Sequence, residues 1–210
     1  CALLSENDLR RRFPKTYRYL RECESSLRAR EGGRWNGPQW YAYGRQQNID
    51  LMSKPKILVP DIADQASFAF DQDGDYAFTS GYGVTLKRDI AESQKYVLGL
   101  LNSNVLDFYL KQVSTTMRGG FFRYFTQFIA QLPIKRINFS DPADKAGHDQ
   151  MVSLVERMLE LHQRLHDAKT PADKNRLQRQ IDTTDQAIDR LVYDLYGLTE
   201  EEIKIVEGIV

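Results

Sequence analysis

Residues 96–137 read YVLGLLNSNVLDFYLKQVSTTMRGGFFRYFTQFIAQLPIKRI, and the order of the parts within this stretch decides the fold. Apolar runs over 94–101 and 105–110 are long enough and periodic enough for two helices. The polar triplet Asn102-Ser103-Asn104 between them can end one helix and cap the next. An Arg118-Gly119-Gly120 loop follows, then an aromatic strand at 121–125 and a short helix that Pro133 stops. Helices and strands therefore alternate within forty residues. No acidic residue lies between Asp107 and Asp141, while Lys111, Arg118, Arg123, Lys135 and Arg136 all do. Cations interleaved with Phe121, Phe122, Tyr124 and Phe125 are what a surface needs to hold phosphates and stack on bases. The same pattern also describes a core helix and an aromatic strand whose charges are merely solvated.

Upstream, residues 9–30 form a densely basic helical segment. Phe13, Tyr17, Leu20 and Leu27 make one apolar stripe, with Pro14 in a first turn and Glu31-Gly32-Gly33 as the stop. Residues 34–45, RWNGPQWYAYGR, read as an aromatic loop that either stacks on a ligand or plugs a core. Residues 56–60 (KILVP) form a buried strand. Residues 68–70 and 76–79 flank Asp73-Gly74, a turn dipeptide that predicts a tight hairpin, and 84–86 form a further strand. These strands predict a small, mainly antiparallel sheet.

Downstream of a polar linker at 138–144 the character changes. Met151, Leu154, Met158, Leu161 and Leu165 repeat at spacings of three and four, and so do Leu177, Ile181, Thr184, Ile188, Leu191 and Leu195. Both rows are seams for coiled-coil packing. Thr170, Pro171 and Asp173 supply an N-cap, a proline at the first helical position and a first-turn acid. Two helices so briefly joined fold back as an antiparallel hairpin. Gly197 ends the second helix, and Thr199 with Glu202 forms a capping box for a short last one. The fold class is thus α+β: a small antiparallel sheet with packed helices, then a coiled-coil-like helical hairpin.

The formal net charge is zero, but it is unevenly distributed. Residues 1–137 carry 20 Lys+Arg against 14 Asp+Glu, a net of +6, and residues 138–210 carry 9 against 15, a net of −6. This division marks residues 1–137 as one module and 138–210 as another, and only the first favours a polyanion. Two cysteines at positions 1 and 23 suit a reducing cytoplasm rather than a disulfide framework. No apolar run reaches membrane-spanning length. The start at Cys1 rather than Met reads as a piece of a longer protein. Ala2-Leu3-Leu4 is not the polar tether of a lipoprotein.

The motifs of self-sufficient catalysis are missing. His162 and His166 lie one helical turn apart, but Gln163 stands where a metalloprotease needs Glu. Asp71, Asp73 and Asp75 echo a calcium loop, yet Gly74 falls too early and Tyr82 occupies the position of the bidentate acid. Gly81-Tyr82-Gly83 lacks the later glycine of a dinucleotide fingerprint. Neither a nucleophile with its base nor a metal cage can be assembled, so a binding module is favoured over an enzyme.

Six short stretches, in this order, resemble a known family: FPKTYRYL at 13–20, WYAYGR at 40–45, KPKILVPDIA at 54–63, YVLGLLNSNVLDFYL at 96–110, RGGFFRY at 118–124 and QLPI at 131–134. Together they resemble the TaqI-like C-terminal specificity domain of adenine-specific DNA methyltransferases and fused restriction–modification (type IIG) enzymes. The ending AIDRLVYDLYGLTEEE at 187–202 is similar to the close of those enzymes, and the helical pair to the spacer helices of type I specificity subunits. The resemblance implies a target recognition domain for double-stranded DNA. Its partner would be its own N-terminal methyltransferase domain or a separate subunit. No cofactor is expected in this chain. S-adenosylmethionine, and the Asn/Asp-Pro-Pro-Tyr motif absent here, would belong to that catalytic domain.

The loops that read bases diverge within such a family, so the contact residues are chosen by chemistry. Arg45, Lys54, Lys111 and Arg118 are the candidates for phosphate. Tyr82, Lys87, Arg123 and Tyr124 are those for groove or base edges, with Gly119 and Gly120 letting backbone approach a phosphate. The competing reading is an assembly module that associates with itself through the 177–195 seam, the sheet serving as scaffold.

Overall fold

The computed structural model describes residues 3–44 and 48–209, so Arg45 lies outside the described residues. The chain divides into two compact units, Cys1–Met52 and Ser53–Val210.

In the first unit the basic segment is broken into three helices: α1 (Glu6–Arg12), α2 (Pro14–Glu22) and α3 (Glu24–Gly33). Ser5 caps α1 by accepting from the Asp8 N–H at 3.1 Å. Pro14 has no N–H to continue α1 and instead opens α2. The last turn of α3 departs from helix where Glu31 and Gly32 take positive φ, as the Glu-Gly-Gly signal predicts. The aromatic loop plugs the unit: Trp40 is 1% exposed. The Arg28 and Arg21 guanidiniums lie 5.4 and 5.9 Å from its ring. Arg30 donates to the Trp40 and Ala42 carbonyls at 2.8 and 3.1 Å and covers Trp35 at 4.9 Å. A short α4 (Ile49–Met52) closes the unit.

The second unit contains β1 (Lys56–Val59), β2 (Ile62–Ala63), β3 (Ala69–Asp71) and β4 (Tyr82–Val84), followed by α5 (Gln94–Asn102) and α6 (Asn104–Val113). Then come β5 (Thr116–Met117), β6 (Phe121–Arg123), α7 (Thr126–Ile129), α8 (Pro142–Asp167), α9 (Pro171–Tyr196) and α10 (Glu200–Val206). The expected single sheet is two antiparallel three-stranded sheets, ordered β3-β1-β4 and β2-β6-β5. The chain passes from one to the other through Pro60-Asp61. The predicted strand at 76–79 does not form. The Asp71 carboxylate accepts the N–H groups of Asp75 and Tyr76, which curls the chain after Gly74 (φ +72°), and β4 takes the free edge of β1 instead.

Helix α5 is the centre of this unit. Tyr96 and Leu100 are fully buried in one core that also includes Ile57 and Val59 of β1, Met151 and Val155 of α8, and Ile188 and Val192 of α9. Of the polar triplet, Ser103 caps α6. Asn102 exchanges two 2.9 Å hydrogen bonds with the Phe68 backbone, and Asn104 reaches α9. The expected linker at 138–144 is shorter than its composition indicates, because Asp141 caps α8 at the Ala143 N–H and Pro142 is already helical. The predicted caps of the hairpin are all present: Thr170 on Asp173, Gly197 in the left-handed region, and the Thr199–Glu202 capping box. The seam expected to drive self-association is filled within the chain, since Leu177 and Ile181 pack with Leu161 of α8.

Candidate nucleic-acid interface

The β5–β6 hairpin pairs Thr116 with Phe122 and Met117 with Phe121, leaving Arg118-Gly119-Gly120 as the tip. Gly119 and Gly120 sit at φ +87° and +81°. A Cβ on Gly120 would meet nothing within 4 Å. The glycine there is required by backbone conformation, not by space. All three tip residues are exposed. The hairpin is pinned at its base by Ser114, whose hydroxyl donates to the Arg123 carbonyl at 2.7 Å and accepts its N–H at 3.2 Å.

Side chains alternate along β6, so Phe122 and Arg123 leave on opposite sides. On one side Lys111 lies 5.6 Å above the Phe122 ring and pairs with Asp107 at 2.6 Å. On the other, the Arg123 guanidinium stacks on Phe125 at 4.7 Å. Phe125 meets Tyr82 edge-on at 6.2 Å and stacks on Phe128 with ring planes 7° apart. Two sequence candidates from different sheets, Arg123 and Tyr82, are thereby brought to one aromatic cluster. The ring beneath the guanidinium restricts its rotation while leaving its N–H fork available.

The other candidates fare differently. Arg118 is exposed at the tip and has no ion pair among the described residues. Lys54 and Lys87 are exposed, before β1 and after β4 respectively. The charge of Lys111 is already answered by Asp107. Tyr124 does not reach the surface at all. It is 0% exposed, its N–H donates to the Asp61 carbonyl at 2.9 Å, and its hydroxyl donates to Asp107 at 3.1 Å. Burial, reinforced by the Asp107 charge, pushes that hydroxyl's pKa far up. Its place in the aromatic run matched its neighbours', and only strand alternation and the distant Asp107 distinguish it. Asp107, which also accepts the Ala66 N–H at 2.8 Å, is the support that sequence inspection passed over.

A cleft of about 670 Å³ elsewhere in the second unit has the wrong sign for phosphate. Its lining includes Met158, Asp107, Asp182 and Asp185 and neither Lys nor Arg. No group of three or more potential metal ligands occurs among the described residues. No helix among them is long and apolar enough to cross a membrane.

An α+β module whose exposed, glycine-tipped hairpin carries cations and aromatic rings, backed by a helical hairpin, is the class these features define. Residues 6–134 match the TaqI-like C-terminal specificity domain, and the chain belongs to that family. Similar proteins include the type II restriction enzyme and methyltransferase RM.Eco57I of Escherichia coli, 24% identical over 97% of this chain and 21% of the relative. The type II methyltransferases M.XhoI of Xanthomonas vasicola and M.PaeR7I of Pseudomonas aeruginosa are 28% and 25% identical, over 94% and 93% of this chain. The chain spans only 30% and 29% of those two relatives. The likeness runs on past residue 134 through the helical hairpin.

Proposed function

We propose that this chain is the target recognition part of an adenine-specific DNA methyltransferase or fused restriction–modification enzyme. It would hold double-stranded DNA and read base edges while a separate catalytic domain transfers the methyl group. The observation that carries this reading is the Arg123–Phe125–Tyr82 cluster beside an exposed Arg-Gly-Gly tip, in a chain of the specificity-domain family. Arg123, held flat on an aromatic ring, presents the fork that pairs bidentately with guanine in the major groove. The Arg118-Gly119-Gly120 tip has the open backbone and the charge to approach a phosphate. Lys54 and Lys87 are further phosphate candidates, and Lys111 serves chiefly to seat the hairpin.

S-adenosylmethionine would be bound by the catalytic domain and would supply the methyl group there. Methylating an adenine requires taking it out of the stack, and gripping the flanking duplex is this chain's share of that task. The acidic cleft and the helical hairpin are left for protein contacts with the catalytic domain.

The test is duplex binding by fluorescence anisotropy as a function of salt, after selection of a preferred site from a random-sequence pool. Affinity should fall linearly on a log–log scale. Arg123→Ala should relax preference at one position by roughly 1–3 kcal/mol. Binding that is absent at low salt, or indifferent to salt, would sink the proposal.

A further inference from the structure

The first unit carries a second cationic surface that the hairpin cluster does not include. Residues 9–21 contain six cations and no acid. Two groups of arginines must be separated there. Arg21 and Arg28 are spent on Glu24 and Trp40, and Arg30 on the aromatic loop. Arg11 pairs with Asp8 at 2.9 Å. Arg10, Arg12, Lys15 and Arg18 have no ion pair among the described residues, and all four are exposed.

All four flank the α1–α2 junction, Arg10 and Arg12 in the last turn of α1 and Lys15 and Arg18 on α2. Residues 10–16, across the α1–α2 junction, are exposed without interruption. On α2, Lys15, Arg18 and Tyr19 lie within about 100° of one another, opposite the Tyr17 and Leu20 side. Two aromatic rings stand among the charges: Phe13, 44% exposed with the Arg12 guanidinium 5.5 Å from its ring, and Tyr19, 64% exposed. The nearby acids are largely engaged. Glu6 accepts from the Tyr17 hydroxyl at 2.9 Å, and Asp8 holds Ser5 and Arg11. Glu22, on the Lys15 face, opposes the patch and has no ion pair among the described residues. The α1 dipole favours Arg10 and Arg12 in its last turn, but folding gains nothing from the cations on α2. Like charges this close on a helix repel, and Lys15 stands in the first turn of α2, where the helix dipole disfavours a cation.

We infer that the α1–α2 junction is a sequence-independent anchor for the phosphodiester backbone of duplex DNA, distinct from the base-reading cluster of the second unit. This rests on the DNA-binding reading above and adds a division of labour to it: the first unit supplies affinity without sequence preference, and discrimination rests with the second. Arginine and lysine on exposed helical turns are point and fork donors to phosphate oxygens, and Phe13 and Tyr19 can lie against sugar or base edges in passing.

The experiment compares the full chain with Arg10→Gln/Arg12→Gln/Lys15→Gln/Arg18→Gln, and with the milder Lys15→Gln/Arg18→Gln should the first misfold by circular dichroism. Salt dependence is measured on the selected duplex and on a scrambled one. Each lost phosphate contact removes roughly 0.9 from the log–log slope. The quadruple variant should therefore lose about 3–4 and the double about 2. The ratio of affinities for selected over scrambled DNA should stay unchanged. A slope equal to wild type overturns this inference and leaves the DNA-binding reading standing. So does a fall in the selected-to-scrambled ratio. Wild-type chain that ignores duplex DNA but binds anionic phosphatidylserine vesicles overturns both.

Discussion

The backbone N–H and side-chain amide of Asn104, at the start of α6, both donate to the carboxylate of Asp189 in the C-terminal half of α9, at 2.8 and 2.7 Å. Eighty-five residues separate the two in sequence. The Asp189 carboxylate is buried, and burial outweighs the Asn104 bond to push its pKa up to about 6 from 3.8. The bond fixes the helical hairpin to the pair α5–α6, which also carries the recognition hairpin.

A pH dependence follows from that shift. Between pH 4 and 6 the folded chain keeps a proton on Asp189 that the unfolded chain releases, so this group stabilises most below pH 4 and its contribution is lost as pH rises through 6. The span corresponds to a contribution on the order of 2–3 kcal/mol. Urea unfolding of the wild type and Asp189→Asn across this window should differ in slope, the variant lacking the decline. Parallel profiles would show that Asp189 titrates normally.

Gly99 lies where α5 crosses α8. A Cβ there would fall 2.4 Å from Met151 Sδ and 3.0 Å from Val155 Cγ2. Gly99→Ala gains helix propensity but displaces the packed Met151 and Val155 side chains, so it should lose about 1–3 kcal/mol by denaturant unfolding. Pairing it with Met151→Ala should restore part of the loss relative to Met151→Ala alone. A more stable Gly99→Ala protein would refute the close crossing.

Lys56 and Asp71 form a buried ion pair across β1 and β3. Burial opposes the Asp71 charge, but the Lys56 ammonium and the Tyr76 and Asp75 N–H groups overcome it and lower its pKa. Asp71→Ala takes the carboxylate away from a buried ammonium and should cost about 3–5 kcal/mol. Replacing both by Met and Leu should cost far less than either single change. A double-mutant cycle in urea decides it.

Tyr124→Phe separates support from recognition. Removing the hydroxyl leaves Asp107 short of one donor, at about 1 kcal/mol of stability. Because the ring is fully buried, duplex affinity and site preference should not move. An altered preference in a normally folded variant would bring Tyr124 back among the reading residues.

The parts of the fold that were legible in the sequence are those whose physics is local. Thr170-Pro171, Gly197 and Thr199–Glu202 each satisfy helix-end groups within one turn of chain, so the hairpin's ends fall where the letters place them. The spacing of Leu177, Ile181 and Ile188 likewise shows one buried face whatever covers it. Asp73-Gly74 misled because contacts beyond the turn shape it: Asp71, paired with Lys56 of β1, captures the following N–H groups, and a Cβ on Gly74 would lie 2.6 Å from the Ser53 carbonyl oxygen. The candidate site was half legible for the same reason. The Arg-Gly-Gly tip declares itself through glycine's left-handed backbone, whereas Tyr82 and Arg123 meet only through Phe125.

By itself the sequence determined the α+β class, the helical hairpin with its caps, the family, and the basic, aromatic character of residues 9–30 and 111–125. These depend on periodicity, capping chemistry and composition, which neighbouring residues carry among themselves. Only the tertiary structure decided which cations are spent and which are free. It set Arg28 and Arg30 into the aromatic plug, tied Lys111 to Asp107, buried Tyr124, and left Arg10, Arg12, Lys15, Arg18 and Arg118 open to solvent. The reason is physical. A charge or a hydroxyl is free or satisfied according to what lies within about 3–4 Å of it, and those neighbours are brought by packing, not by sequence order.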